Sequence, residues 1–281
     1  MNFWNRFYSL VGKILAKSGN RIKKYKQRLT ARAEKSGVVN QGVTLLYPSY
    51  KKYLYCDKNT GEGYFFRYKP IKEEGKYPLI IYHHGNGWNR FGKNTVQMVE
   101  FFCLMKKLNK RKCHQVAIHL DYSCEYNRAG HSKALDGLVE YINDTYKNVD
   151  FSRIYLAGTS YGGYACVYEV LRCPEKYAAA VISMAYTHNE NYEPEEEICE
   201  NSYVRSLTAE DYKSLSGTPF YLSWARDDHP IMTGSNELLL KNLKENGADI
   251  KAEIYNDGGH TIASGFYKNS HWDEWLFSKE R

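Results

Sequence analysis

From about residue 41 the chain alternates short apolar runs with longer amphipathic ones. The inner short runs are LIIYH at 79–83, VAIHL at 116–120, RIYLAG at 153–158 and AAVISMA at 179–185, and they are almost continuously apolar. A strand reads that way when both its faces are covered, as in a parallel sheet. The pattern predicts strands at 43–46, 52–56, 63–68, 79–83, 115–120, 153–157, 179–184, 219–224 and 251–255. The first three border the turn signals YPSY and DKNTGEG, which suits antiparallel hairpins. Between the inner strands, helical spacing predicts helices at 94–108, 130–147, 161–173, 234–246 and 271–279. The fourth of these ends in Asn246-Gly247, a helix stop. Strands alternating with helices imply βαβ units: an α/β domain with a mostly parallel sheet, helices on both faces and antiparallel strands at its N-terminal side. One domain over 41–281 accounts for the pattern. Residues 186–217 interrupt it with the acidic stretch THNENYEPEEEICEN, either a candidate lid or a long solvated excursion.

Composition narrows the class. Hydrophobic residues make up 43 % of the 281 and charged residues 25 %, the usage of a globular chain rather than a disordered one. No apolar run approaches the roughly 20 residues that span a bilayer. The 26 tyrosines, against 11 Phe and 5 Trp, suit half-buried surfaces or a cleft for polar ligands.

Charge is uneven. The net charge is +7, yet residues 1–35 carry ten basic side chains (Arg6, Lys13, Lys17, Arg21, Lys23, Lys24, Lys26, Arg28, Arg32, Lys35) and one acid, Glu34. The rest is therefore close to neutral, and nothing resembles a nucleic-acid-binding face. Within a basic arm over 1–40, Phe3, Trp4, Phe7, Tyr8, Leu10, Val11, Ile14 and Leu15 recur at helical spacing. The preferred reading is a helix laying that stripe on the body. The alternative is contact with a membrane or another anionic surface. Lys13 interrupts the apolar stretch, which argues against a cleaved signal peptide. Seven cysteines (56, 103, 113, 124, 166, 173, 199) form no CxxC and no finger-type pair with histidine, so neither a metal site nor a full disulfide framework is expected. A reducing, cytoplasmic setting follows as an expectation.

The chemistry concentrates in four places, each after its own strand. Gly158-Thr159-Ser160-Tyr161-Gly162-Gly163 follows RIYLA and opens a helix. In that context G-x-S-x-G is a nucleophile elbow, whose tight turn holds the serine hydroxyl above the sheet. A serine hydroxyl needs a base to attack a carbonyl. His260, in the glycine-flanked NDGGHT behind the last strand, is placed to supply it. His229 is its only competitor and lies too near the acid candidates. An acid must orient that imidazole, and the run WARDDHP offers Asp227 and Asp228; spacing favours Asp228. Two backbone amides must meet the oxyanion. Tyr161, next after the serine, supplies one, and Asn86 in His84-Gly85-Asn86-Gly87 is the candidate for the other. No cofactor is needed for this chemistry.

Over residues 60–281 the sequence resembles the α/β-hydrolases. SYGGY is similar to the elbow of prolyl-oligopeptidase-like hydrolases. The HG loop and its lead-in GYFFRYKPIKEEGKYP resemble feruloyl-esterase and polyhydroxyalkanoate-depolymerase-like esterases. Those families carry the acid in G-x-x-D-x-x-V-P; here Ala225-Arg-Asp-Asp228-His-Pro-Ile-Met aligns Asp228 without the glycine or the final proline. The expectation is a serine carboxylic-ester hydrolase acting through an acyl-enzyme on a small-molecule ester, with a small or aromatic acyl group, feruloyl or acetyl on a sugar among them. A prolyl-oligopeptidase-like peptidase is the first alternative and a non-catalytic hydrolase-fold binding protein the second.

Overall fold

A computed structural model describes residues 38–44, 47–56, 63–85, 95–119, 129–185 and 207–281. Among these residues nine strands form one sheet: β1 (Val38–Thr44), β2 (Tyr47–Cys56), β3 (Gly63–Lys69), β4 (Tyr77–His83), β5 (His114–His119), β6 (Val149–Thr159), β7 (Ala179–Ser183), β8 (Phe220–Ala225) and β9 (Ile250–Tyr255). Their order is β1-β2-β3-β5-β4-β6-β7-β8-β9. The pairings β1·β2, β2·β3 and β3·β5 are antiparallel; β4 to β9 run parallel. The helices described are α1 (Thr95–Leu108), α2 (Ala129–Tyr146), α3 (Tyr161–Arg172), α4 (Ala209–Leu215), α5 (Pro230–Glu245), α6 (Ala263–Asn269) and α7 (Trp272–Phe277), with a single 3₁₀ turn at Gly259–Thr261.

The strand period of two divides the core into layers. Leu79 and Ile81 of β4, Ile154 and Leu156 of β6, and Leu222 and Trp224 of β8 face one layer, under α2, α3, α4 and α5. Their neighbours Ile80, Tyr82, Tyr155, Ala157, Tyr221 and Ala225 face the other, under α1, α6 and α7. Because both layers bury their strands, the inner runs carry almost no polar residue. In such a sheet the side chains that do chemistry collect at the C-terminal ends of the strands. Here the elbow follows β6, the acid pair follows β8 and His260 follows β9.

The structure moves several expected boundaries. β1 begins at Val38, so residues 38–40 belong to the sheet and not to the basic arm; residues 1–37, including the amphipathic stripe, lie outside the described residues. Most of the acidic stretch, 186–206, also lies outside them. The end of the 186–217 lid candidate does not: α4 is part of the body, with Tyr212 and Leu215 buried in the core. A capping box starts it, the Thr208 hydroxyl accepting from the Asp211 amide and the Asp211 carboxylate from the Thr208 amide. α5 begins at Pro230, four residues earlier than the pattern suggested, because proline suits a first helical position and His229 caps it. Among the described residues, no helix is long and apolar enough to cross a membrane.

Candidate active site

The elbow is strained and closely packed. Ser160 sits between β6 and α3 with φ 56° and ψ −120°, a conformation that costs a non-glycine residue roughly 1–3 kcal/mol and persists only when its surroundings impose it. Several contacts do so. The Ser160 amide donates to the Ser183 carbonyl at 2.9 Å, and the Met184 amide to the Ser223 carbonyl at 2.7 Å. Behind it, the Ser223 hydroxyl donates to that of Ser183 at 2.9 Å. The glycines of the motif are needed for space. A Cβ on Gly158 would lie 2.3 Å from the Gly162 carbonyl oxygen, and one on Gly162 would lie 2.0 Å from that of His83. The second clash is with backbone at the end of β4 and cannot be relieved by a side chain turning away. Gly162→Ala is therefore expected to lower the melting temperature by about 6 °C or more, on overpacking costs of about 3 kcal/mol and more. Gly234→Ala in the α5 interior, where a Cβ meets nothing within 4 Å, is the matched control and should be neutral or stabilising by up to about 1 kcal/mol. Thermal unfolding followed by circular dichroism separates the two.

Ser160, His260 and Asp228 form one hydrogen-bonded chain. His260 Nδ1 lies 2.8 Å from Asp228 Oδ2, and His260 Nε2 lies 3.0 Å from Ser160 Oγ. An ionised carboxylate only accepts, so Nδ1 carries the proton, and Nε2 presents its lone pair to the serine hydroxyl. The Asp228 side chain is 2 % exposed and that of His260 38 %. The acid is thus enclosed, while the imidazole edge stays open to a reactant. The second carboxylate oxygen of Asp228 accepts from the His229 amide at 2.7 Å.

Asp227, exposed in the same loop, holds the backbone of the histidine turn. Its carboxylate accepts the amides of Gly258 at 3.1 Å and Gly259 at 2.8 Å. It therefore fastens the turn that delivers the imidazole, a turn with Gly258 at φ 116° and Gly259 at φ 53°. The adjacent carboxylates divide the work: one orients the ring, the other the backbone beneath it. His229 caps α5, its Nδ1 accepting from the Ile231 amide, and is not part of the chain.

Tyr161 is the first residue of α3, which puts its amide at a helix N-terminus beside Ser160. Asn86 lies outside the described residues. The strand that leads to it ends against the elbow, where the carbonyls of His83 and His84 pack on Gly162.

One contributor carries no motif. Tyr267 of α6, fully buried, donates its hydroxyl to the Gly158 carbonyl at 2.9 Å and ties the segment after His260 to the elbow. Burial pushes its phenol well above the ordinary range, so the donor proton stays on. Glu100 of α1 is 2 % exposed, and its Oε2 has no hydrogen-bond partner among the described residues. Burial pushes its carboxyl up to about 7, opposed by the His260 charge. In the unfolded chain this group ionises near 4.5. The folded protein thus holds a proton that the unfolded chain has released, and stability declines as pH rises between those values. Glu100→Gln should abolish that decline. The variant should match or fall slightly below wild type at pH 4.5 and exceed it at pH 8 by on the order of 3 kcal/mol, measured by urea unfolding.

With the geometry in place, comparison with known proteins adds the lineage. The model of the prolyl oligopeptidase family matches residues 135–278, from α2 through α7. No curated protein matches the sequence. Among solved structures, a thermostable esterase aligns at a TM-score of 0.63 and 21 % identity, over 83 % of this chain and 64 % of its own. A fungal esterase from Rhizomucor miehei aligns at 0.61 and 17 %, over 91 % and 90 %. A ferulic acid esterase aligns at 0.60 and 16 %, over 85 % and 97 %. This chain therefore spans just under two thirds of the thermostable esterase's length. At such identities these likenesses speak for the fold, and that fold is the α/β-hydrolase fold. The family match runs through the elbow, the acid pair and the histidine turn over half of the length, and the chain belongs to the prolyl oligopeptidase family of serine hydrolases.

Proposed function

We propose that this serine hydrolase cleaves carboxylic esters through an acyl-enzyme on Ser160. The reading rests above all on one observation: the chain from Ser160 Oγ through His260 to Asp228, at 3.0 and 2.8 Å. Ser160 Oγ attacks the ester carbonyl as His260 Nε2 takes its proton. The tetrahedral oxyanion is met by the Tyr161 amide, with Asn86 proposed as the second donor. Collapse expels the alcohol, which takes the proton back from His260. Water then repeats the sequence on the acyl-serine and releases the acid. Asp228 keeps the imidazole in the tautomer that can accept and stabilises its cationic form.

Esters are favoured over peptides because the solved structures that share this fold include several esterases, one of them a ferulic acid esterase. A small or aromatic acyl group, sugar-linked in some substrates, is the proposed specificity, in keeping with the 26 tyrosines of the chain. The test pairs an ester with an amide of the same acyl group: p-nitrophenyl acetate with p-nitroacetanilide, and methyl ferulate with feruloyl glycinamide. The expected result is turnover of the esters, with the amides slower by about a hundredfold or more at matched concentration. Faster turnover of amides, or of a proline-containing peptide, would assign the site to peptide hydrolysis instead.

A further inference from the structure

Asn236 lies in α5, fully buried, and its side chain is bonded on every side to backbone. Its Oδ1 accepts from the Ala185 amide at 3.2 Å, while its Nδ2 donates to the Ala185 carbonyl at 2.8 Å and to the Met232 carbonyl at 2.7 Å. An amide only donates and a carbonyl only accepts, so the two bonds to Ala185 fix which way the side chain faces. Ala185 lies two residues past β7. Between them Met184 holds φ 53°, which a side chain of that size adopts only when its neighbours impose it. The bond from the Met184 amide to the Ser223 carbonyl imposes it from one side, and Asn236 from the other. The elbow rests on this bend at two points. The Ser183 carbonyl accepts the Ser160 amide at 2.9 Å. The first turn of α3 lies against Ala185, where a Cβ on Gly163 would come 3.1 Å from the Ala185 Cβ. The start of α5, in turn, follows the acid: Asp228 stands two residues before Pro230, and the Thr233 hydroxyl reaches the Asp228 carbonyl at 3.4 Å.

Resting on the hydrolase reading above, we infer that Asn236 is a positioning residue for the reaction: it ties α5, which follows the acid, to the bend after β7, on which the nucleophile is seated. The strand ladder that aligns β6, β7 and β8 ends at Thr159, Ser183 and Ser223. Beyond that line the segments carrying Ser160 and Asp228 need another connection, and Asn236 supplies one through Ala185. It acts through backbone, since none of its three bonds reaches a side chain of the triad. The serine hydroxyl stands 3.0 Å from His260 Nε2, a distance that tolerates little movement of the elbow. A displacement of about 1 Å at a reacting group costs on the order of a hundredfold in rate.

The test follows phosphonylation of Ser160 by a fluorophosphonate in wild type, Asn236→Leu and Asn236→Asp. Leucine keeps the bulk and loses all three bonds; an ionised aspartate keeps the shape and the bond from the Ala185 amide but can no longer donate. Both variants should label to completion about ten- to a hundredfold more slowly than wild type, and kcat on p-nitrophenyl acetate should fall in step while KM stays within about twofold. A merely structural role gives a different pattern, in which fewer molecules are folded and labelled but those label at the wild-type rate. That pattern overturns the inference. Leu243→Ala, which removes a buried side chain two turns further along α5, is the control and should label at the wild-type rate. A second measurement needs no variant. The Ala185 amide of wild type should be among the last to exchange with deuterium, and exchange as fast as that of exposed loop amides overturns the clamp. A wild type that neither labels nor turns over ester overturns the hydrolase reading, and the role of Asn236 with it. A wild type that labels no faster than the two variants overturns the inference alone.

Discussion

Ser160→Ala is expected to lower kcat for ester hydrolysis by on the order of 10⁴- to 10⁶-fold while leaving the protein folded. Only the hydroxyl is removed, and among the described residues its side-chain bond runs to His260. Alanine inherits the same positive φ at similar cost, and the anchoring bond from the residue 160 amide to the Ser183 carbonyl survives. The melting temperature should therefore stay within about 2 °C of wild type, as for a substitution that creates no buried void or unpaired group. Any residual rate would come from the oxyanion donors and from holding the ester in place. A loss of only a few-fold would show that another nucleophile carries the reaction.

Asp228→Asn is expected to have the second largest effect, about 10³- to 10⁴-fold on kcat. The substitution keeps shape and burial but replaces an obligate acceptor by a group that also donates. An amide NH₂ facing His260 Nδ1 favours the tautomer with the proton on Nε2, and that nitrogen can no longer accept from Ser160. Asp227→Asn perturbs the same turn through its backbone. One of the two bonds to the Gly258 and Gly259 amides is lost, and the imidazole is placed less well. The expected loss is about ten- to a hundredfold, the scale of a small misplacement of a catalytic group. The ordering of the two variants is the result that matters. If Asp227→Asn abolished activity and Asp228→Asn left it intact, the division of labour read from the hydrogen bonds would be wrong.

Much of this arrangement is written locally in the sequence. The parallel strands announce themselves because burial on both faces excludes polar residues, as in LIIYH and AAVISMA. The elbow is marked by glycines that packing makes obligatory: Gly158 and Gly162 leave no room for a Cβ. His260 is marked by the glycines before it, which take positive φ so that the turn can present the ring. Elements of low contrast were harder to read. α6 is only seven residues, ASGFYKN, with serine and glycine inside it, and it is held by burying Ala263, Phe266 and Tyr267 rather than by helix propensity. α4 has a clear capping box, but it follows an acidic run that resembles solvated loop. The roles of Asp227 and Tyr267 lay beyond the sequence for a different reason. Each acts across more than 30 residues of chain, and no local pattern encodes a contact between α6 and the end of β6.

The central claim is that Ser160 is an activated nucleophile, and a fluorophosphonate tests it most directly. Incubation with the intact protein, followed by tryptic digestion and mass spectrometry, should give a single phosphonyl adduct on the peptide spanning residues 154–172. The adduct should be absent in Ser160→Ala and form at least about a hundredfold more slowly in His260→Asn, since the base that activates the serine is then missing. A folded wild type that acquires no adduct, or one that acquires it on another residue, would contradict the account.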